Sequence, residues 1–345
     1  MTLSCVSGAR CLTLFLLCFA AGCASIERLP DSYEPPGALP VGIADRFCYQ
    51  RQPIVASINL SDEKGSYRVY EGSIDPDLDG FEDKSQITFE YYEQKDLASA
   101  PVVVVLPILN GQKHVVRPFA THFARNGYAV VIVDTVQRKT LLEDLVNPED
   151  AIQLTILRHR RVLDWIESKP GLDATRIAVF GASLGGFNAL FLAASDPRVR
   201  AVAPALVGGD LPYVLTHSNE RRIEEAVART KESLSLDQQG MASYLEEHIQ
   251  TDPISLAPYI NASQVLMVMA KFDNAVPYES QLALRAALGN PQAITIPTGH
   301  VTAAAYLFYL RRKVREFFDE KLADDIVPEW TASMAEHHCG EVASE

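Results

Sequence analysis

Residues 176–186 read RIAVFGASLGG, and this stretch decides the fold. The apolar run at its start predicts a buried strand, and the apolar residues from Leu184 to Ala194 predict a helix. The intervening Gly-Ala-Ser-Leu-Gly has the G-x-S-x-G spacing of a sharp strand-to-helix turn, in which glycines let the backbone pass. Such a turn lifts its serine out of the sheet beside helix N–H groups that stabilise negative charge. The stretch therefore predicts Ser183 as a nucleophile, and the alternative is a glycine-rich turn without chemistry.

Strand-like and helix-like segments alternate on both sides of this turn. The strand-like segments are Pro101–Leu106, Tyr128–Asp134, Arg176–Phe180, Val199–Leu206, Val265–Ala270 and Ala293–Ile296. The helix-like segments are Pro118–Asn126, Asp150–Lys169, Leu184–Ala194, Ser280–Leu288 and Val301–Leu322. This alternation predicts an α/β fold, with a mostly parallel, doubly wound sheet covered by helices on both faces. Two earlier strand-like segments, Ser66–Ile74 and Gln86–Glu93, predict an antiparallel edge.

One long interruption of the alternation runs from Leu211 to about Tyr259 and is helical and charged. It is too long for an ordinary connection between a strand and the next element. We therefore expect a small helical cap over the site at about residues 211–260. The whole domain is expected to span residues 61–325, followed by a C-terminal tail at 326–345.

A serine nucleophile needs a base and a carboxylate that orients the base. Asp273 follows the strand-like segment VLMVMA, and His300 follows AITI, so both are expected at the same sheet edge as Ser183. Asp210 also follows a strand and stays an alternative acid. The other histidines of the domain follow no late strand, so His300 is the predicted base.

The turn at Ser183, the Asp-x-x-Val-Pro segment that begins at Asp273 and the late Gly-His at His300 resemble the α/β-hydrolase superfamily. The nearest branches are the dienelactone-hydrolase-like enzymes and the carboxylesterases, and the resemblance covers roughly Ser66 to Leu322. It implies a Ser-His-Asp triad that hydrolyses a small-molecule ester through an acyl-enzyme, with no cofactor and no metal. Dienelactone hydrolases have a cysteine nucleophile, and the serine found here favours ester chemistry instead.

The resemblance also implies two backbone N–H groups that stabilise an oxyanion. Leu184, directly after the nucleophile, is the first. The second is expected from the loop LPILNG at residues 106–111, where relatives often have a His-Gly pair that this chain lacks. Leu109 matches the donor position, and Ile108 is the next candidate.

Two other functions remain open at this point. The same triad would serve a serine peptidase, although peptidases of this fold often add a β-propeller and no repeats occur here. A non-catalytic binding lipoprotein on a degenerate hydrolase fold is the other alternative. Activity on simple esters separates an enzyme from a binder, and a comparison of esters with amides separates an esterase from a peptidase.

The N-terminus resembles the signal peptide and lipobox of bacterial lipoproteins. Arg10 precedes a short apolar run, and Ala-Ala-Gly then leads to Cys23. The resemblance implies a signal peptide at 1–22 and a membrane anchor lipid on Cys23. In such lipoproteins an aspartate directly after the lipidated cysteine marks retention in the inner membrane. Ala24 occupies this position here, which favours the outer membrane, with the protein facing the periplasm. Plain secretion without a lipid is the alternative. The proline-rich residues 23–60 predict a spacer between lipid and domain, which could also pack onto the domain.

Cysteine usage agrees with export. Removal of a signal peptide and lipidation of Cys23 would leave Cys48 and Cys339. In an oxidising compartment this pair is expected to form a disulfide, and two unpaired thiols are the alternative.

Charge excludes one broad class of function. The formal net charge is −13, and a nucleic-acid binder usually has a basic face. The small basic group of Arg158, Arg160 and Arg161 is interpreted as the charged face of a helix. The acidic run Asp75–Asp83 is interpreted as a turn, with a calcium-binding loop as the alternative.

Overall fold

The computed structural model describes residues 24–78, 80–81, 83–108, 113–134 and 145–323, and ten strands in these ranges form one sheet. The strands are β1 (Ser25–Glu27), β2 (Ala56–Glu63), β3 (Tyr67–Ile74), β4 (Ile87–Gln94), β5 (Ala100–Leu106), β6 (Ala129–Val133), β7 (Leu172–Ala182), β8 (Val199–Ala205), β9 (Leu266–Ala270) and β10 (Gln292–Ile296). Their order across the sheet is β1-β10-β9-β8-β7-β5-β6-β4-β3-β2.

The central strands from β10 to β6 run parallel to one another. Each side chain of Val102–Leu106 in β5 is 0% exposed, as expected for a strand that is covered on both faces. Antiparallel pairs occur only toward the edges, where β1 joins β10 and where β4, β3 and β2 follow β6. The predicted α/β class with a mostly parallel sheet is confirmed.

Helices cover both faces of the sheet. They are α1 (Val41–Ala44), α2 (Lys113–Ala124), α3 (Pro148–Ser168), α4 (Leu184–Ser195), α5 (Leu211–His217), α6 (Arg221–Leu234), α7 (Gln238–His248), α8 (Pro253–Leu256), α9 (Tyr278–Ala287) and α10 (Leu307–Lys321). Helices α3 and α4 contribute to one apolar core, and α2 and α10 contribute to a second core. The two cores lie on opposite sides of the sheet because alternate side chains of a strand point to opposite faces.

Two predicted helix starts differ from the structure. Helix α2 begins at Lys113, so Pro118 lies inside the helix and not at its first turn. The last helical segment begins with a 3₁₀ helix at Val301–Tyr306 before α10 starts at Leu307. In both places apolar spacing indicated a helix, but the spacing did not define where it begins.

Helices α5 to α8 lie between β8 and β9 along the chain, where the sequence predicted a cap. Carboxylates join the two ends of this insertion and attach one of them to α3. Asp252 accepts hydrogen bonds from the backbone N–H groups of Asp210 and Leu211. Glu149 at the start of α3 accepts from the N–H groups of Gln250 and Thr251. Charge-assisted hydrogen bonds therefore join the two ends of the insertion to each other and tie its later end to α3.

The predicted spacer at residues 23–60 needs correction over its described part. Strand β1 pairs with β10 and β2 pairs with β3, so this segment supplies both outermost strands. Phe47 is 1% exposed, and the Tyr49 hydroxyl donates to Asp164 at 2.6 Å. The prolines indicated irregular backbone, but β1 is too short to show a pattern and the edge strand β2 exposes polar residues on both faces.

The interpretation of the arginines on α3 was wrong for two of the three. Arg158 and Arg161 are each 1% exposed. Arg158 donates to the backbone carbonyls of Ser85 and Gln86, and Arg161 donates to those of Pro76 and Gln52. The loops that cover α3 turn their carbonyls toward these guanidinium groups, which pairs most of the buried donors, although Arg158 Nε has no partner within the described ranges.

Several predictions fall on residues outside the described ranges. They concern the signal peptide at 1–22, the anchor Cys23, the oxyanion donor Leu109, the cysteine Cys339 and the tail at 326–345. Cys48 is disulfide-bonded, and its pairing with Cys339 stays a prediction.

Asp79 and Glu82 of the acidic run are also outside the described ranges, and the described remainder of the chain contains no cluster of three potential metal ligands. No helix in the described ranges has the length and apolar character needed to span a bilayer.

Candidate active site

Ser183 lies at the tight turn between β7 and α4, with φ 53° and ψ −124°. This backbone conformation is sparsely populated for a residue with a side chain and costs about 1–3 kcal/mol. The neighbouring glycines permit it. A Cβ on Gly181 would lie 2.0 Å from the carbonyl oxygen of Gly185, and a Cβ on Gly185 would lie 2.1 Å from that of Leu106. The G-x-S-x-G spacing is therefore a steric requirement of this turn.

The side chains of Ser183, His300 and Asp273 form a continuous hydrogen-bonded chain. His300 Nδ1 is 2.7 Å from Asp273 Oδ2, and His300 Nε2 is 2.9 Å from Ser183 Oγ. An ionised carboxylate can only accept, so Nδ1 carries the proton in the neutral imidazole and donates it to Asp273. Nε2 is then left as the acceptor for the serine hydroxyl. The three residues are in the arrangement that a general base and its orienting group require.

Asp273 is held in place on both oxygens. Its side chain is 0% exposed. Oδ1 accepts hydrogen bonds from the backbone N–H groups of Ala275 and Val276, each at 2.9 Å. Gln281 on α9 approaches Oδ2 at 3.3 Å and also donates to the carbonyl of Val276. The side-chain oxygen Oε1 of Gln281 accepts a hydrogen bond from the backbone N–H of Ala270 at the end of β9. Gln281 was not identified from the sequence, where the only signal is a polar residue on the buried side of a helix.

Two loops at the carboxyl ends of adjacent parallel strands carry Asp273 and His300. Asp273 follows β9 and His300 follows β10, and the N–H of Phe272 donates to the carbonyl of Thr298 between these loops. The alternative acid Asp210 instead caps α5, where its carboxylate accepts the N–H of Tyr213 at 3.1 Å. Asp273, and not Asp210, is therefore the carboxylate bonded to the imidazole.

One of the two implied oxyanion donors can be described. Leu184 is the first residue of α4, and the first N–H groups of a helix have no intrahelical acceptor. The N–H groups of Gly186 and Phe187 both donate to the Ser183 carbonyl, whereas no acceptor within the described ranges takes that of Leu184. Leu109 lies outside those ranges, and the second candidate, Ile108, lines the cavity beside Ser183.

Comparison with known proteins identifies the fold. Residues 90–231 match the sequence profile of the dienelactone hydrolase family. An acetyl xylan esterase from Paenibacillus sp. R4 superimposes with a TM-score of 0.59 at 19% identity, covering 82% of this chain and 100% of that one. The chain therefore has the α/β-hydrolase fold.

Other solved esterases are similar to it in fold. Acetyl xylan esterase 1 from Thermoanaerobacterium sp. JW/SL YS485 has a TM-score of 0.56 at 17% identity, over 83% of this chain and 100% of that one. A cold-adapted esterase from an Arctic intertidal metagenomic library has a TM-score of 0.53 at 17% identity, over 77% of this chain and 100% of that one. At these identities the likeness is one of fold.

A curated relative carries no assigned activity. It is an uncharacterized 31.7 kDa protein in the traX-finO intergenic region of Escherichia coli, 27% identical over 123 residues. The match covers 34% of this chain and 40% of the relative, so the chain spans about two fifths of the relative's length.

A cavity of about 490 Å³ opens beside Ser183 and His300. Helix α4 contributes Phe187 and Phe191 to its wall, and the inserted helix α5 contributes Leu211 and Val214, among others. The cavity is therefore shared between the sheet domain and the insertion. Most described side chains on its wall are apolar, so it is suited to an apolar group.

Proposed function

We propose that this protein is a carboxylesterase in which Ser183 is the nucleophile, His300 the general base and Asp273 the group that orients the base. The observation that carries the proposal is the continuous hydrogen-bonded chain from Asp273 Oδ2 through His300 to Ser183 Oγ. It opens into an apolar cavity of about 490 Å³ that can hold the substrate beside the nucleophile. The esterases among the similar structures support ester chemistry.

The first half of the reaction forms an acyl-enzyme. Ser183 Oγ attacks the ester carbonyl carbon while His300 Nε2 takes the hydroxyl proton. The carbonyl oxygen becomes an oxyanion, and the N–H of Leu184 and a second donor, Leu109 or Ile108, stabilise it. The bond to the alcohol oxygen then breaks, and His300 gives its proton to that oxygen, so a neutral alcohol leaves.

The second half returns the enzyme to its starting state. A water molecule takes the place of the alcohol, and His300 removes its proton as the water oxygen attacks the acyl carbon. Breakdown of the second tetrahedral intermediate returns the proton to Ser183 Oγ and releases the acid. Asp273 stays ionised throughout and stabilises the imidazolium that forms in each half.

The proposal includes a membrane tether. The lipobox-like Ala-Ala-Gly-Cys23 supports cleavage after residue 22 and lipidation of Cys23, with the enzyme in the outer membrane and facing the periplasm. Residue 25 already begins β1 at the edge of the sheet. The domain would therefore lie directly at the lipid surface and not at the end of a long spacer. A disulfide between Cys48 and Cys339 is part of the same proposal for an exported protein.

A comparison of esters with amides tests the reaction. Protein that starts at Ala24 retains every described residue and is assayed on p-nitrophenyl esters and the matching p-nitroanilides, beside Ser183→Ala. We expect ester turnover that the substitution abolishes and little turnover of the anilides. Faster turnover of the anilides would favour the peptidase, and folded protein that cleaves neither series would favour the binding lipoprotein.

A further inference from the structure

The cavity beside Ser183 has few polar side chains on its described wall. They are Thr155, Ser183, Asn188, Glu220, Arg222 and His300. Most of them are engaged within the protein or exposed to solvent. Ser183 and His300 bond each other, Thr155 donates to the carbonyl of Ala151, the Glu220 carboxylate caps α6, and Arg222 is exposed at the start of α6.

Asn188 differs from these residues. It is 5% exposed, and within the described ranges its side-chain amide makes no hydrogen bond. The amide nitrogen and oxygen are nevertheless not sealed inside the protein, and the residue lines the cavity. A substrate that displaces water from the cavity without offering this amide a partner leaves it unsatisfied, which is unfavourable. The amide is therefore poised for a hydrogen-bonding group inside the cavity.

The position of Asn188 relative to the nucleophile defines which part of a substrate it can reach. It lies on α4, five residues beyond Ser183. A helix rises about 1.5 Å per residue, so the two residues are separated by roughly 7.5 Å along the axis. This distance is too long for contact with the scissile ester bond. It fits a group farther along the chain that fills the cavity.

The acyl group is the part that should extend toward Asn188. His300 must reach the oxygen of the leaving alcohol, so the alcohol is expected on the His300 side of the cavity, near Val301 and Leu307. Helix α4, which carries Asn188, packs on the opposite face of the sheet from α10, which begins at Leu307. The acyl chain would run along this helix.

We propose that Asn188 forms a hydrogen bond with a neutral polar group on the acyl chain of the substrate. The preferred substrates would be esters of hydroxy- or oxo-alkanoic acids, in which an apolar chain carries one such group at a distance from the ester carbonyl. A hydroxyl or ketone pairs with a neutral amide, whereas a plain alkyl chain leaves the amide unsatisfied. This inference rests on the proposed esterase function.

The test compares pairs of p-nitrophenyl esters of equal chain length, with and without a hydroxyl moved stepwise along the acyl chain. The measured quantity is the ratio of kcat/KM for the hydroxylated ester to that for the plain ester. We expect the wild type to prefer one hydroxyl position. Asn188→Leu, which has nearly the same shape, should reduce that ratio about fivefold or more, and Asn188→Ala should reduce it as well.

The control variant is Phe191→Leu, which alters the apolar wall of the same cavity without removing a polar group. It should change kcat/KM for both esters of a pair in the same sense and keep their ratio. An unchanged ratio in both Asn188 variants, or no preference in the wild type at any hydroxyl position, would overturn the proposal.

Binding measurements separate this inference from the esterase proposal. Calorimetry on Ser183→Ala and on Ser183→Ala/Asn188→Leu compares the affinities for the same two esters without turnover. A preference for the hydroxylated ester that depends on Asn188 supports the polar subsite even if the wild type proves inactive on esters. Equal affinities for the two esters would overturn the subsite even if ester turnover is high.

Discussion

Asp273 Oδ2 and His300 Nδ1 lie 2.7 Å apart, although the two residues are 27 positions apart in the chain. Three donors hold the carboxylate in this position, namely the N–H groups of Ala275 and Val276 and the amide of Gln281. His300 and Asp273 are therefore aligned by the loop after β9 and by α9 before any substrate binds. Such preorganisation is what a general base needs to act in one tautomer.

Asp273→Asn tests this relationship. The asparagine keeps the shape and can still accept the two backbone N–H groups, but its amide cannot hold the imidazole in the same tautomer. We expect kcat on a p-nitrophenyl ester to fall by about a thousandfold or more, with little change in the melting temperature. Near-wild-type turnover by the folded variant would remove Asp273 from the proposed triad and favour Asp210, the alternative acid.

Gly185→Ala tests the packing of the turn at Ser183. The added Cβ would lie 2.1 Å from the carbonyl oxygen of Leu106 and 2.5 Å from that of Pro107. Neither backbone atom can move away without displacing β5, so we expect a loss in the free energy of unfolding of at least about 2 kcal/mol, together with loss of activity. Gly65→Ala is the matched control because nothing lies within 4 Å of a Cβ there. Equal effects of the two substitutions on stability, measured by urea denaturation, would contradict the steric argument.

The sequence predicted the strand–helix alternation, the turn and both partners of Ser183 because these features are local or ordered along the chain. Val102–Leu106 is apolar throughout since both faces are covered, and Asp273 and His300 each follow such a strand. The packing of residues 24–60 could not be predicted, because β1 has three residues and its pairing with β10 depends on distant chain segments. The contacts of Gln281 and Asn188 could not be predicted from the sequence for a related reason. A single polar residue on a buried helix face has no periodic signal, and its role appears only when its neighbours in space are known.

His159 predicts a pH dependence of stability. It is 2% exposed, and neither ring nitrogen has a partner in the described ranges. Burial, with the nearby charge of Arg158, lowers the pKa of His159 to about 3. In the unfolded chain the pKa of a histidine is about 6.5. Between these pH values the unfolded state binds more protons, so this residue makes the free energy of unfolding decrease as the pH falls.

The expected slope from His159 is about 1.4 kcal/mol per pH unit below pH 6 or so. His159→Leu should reduce this acid destabilisation when urea denaturation at pH 7.5 is compared with that at pH 5. His217→Leu is the control because His217 is exposed on α5. The buried Asp196 affects the free energy of unfolding only at lower pH. Burial raises its pKa, but the hydrogen bonds and charge of Arg198 outweigh this effect and lower the pKa to about 2. An unchanged slope in His159→Leu would contradict the assignment.

Cys23→Ser tests the proposed anchor. Without the thiol no lipid can be attached, so expression of the full chain in a bacterial host should shift the protein from the membrane fraction to the soluble fraction. The control is Cys48→Ser, which leaves the lipobox-like residues intact and should remain with the membrane. Continued membrane fractionation of Cys23→Ser would remove the tether from the proposal while leaving the esterase function untouched.

The measurement that tests the central claim most directly is labelling with a fluorophosphonate probe, applied to protein that starts at Ala24 and to its Ser183→Ala variant. A fluorophosphonate reacts with a serine only when a base and an oxyanion site activate it. We predict stoichiometric labelling of the wild type and none of the variant, with the labelled peptide containing Ser183. Wild-type protein that is folded but takes up neither a small nor a bulky probe, or labelling that persists in Ser183→Ala, would contradict the assignment of Ser183 as an activated nucleophile.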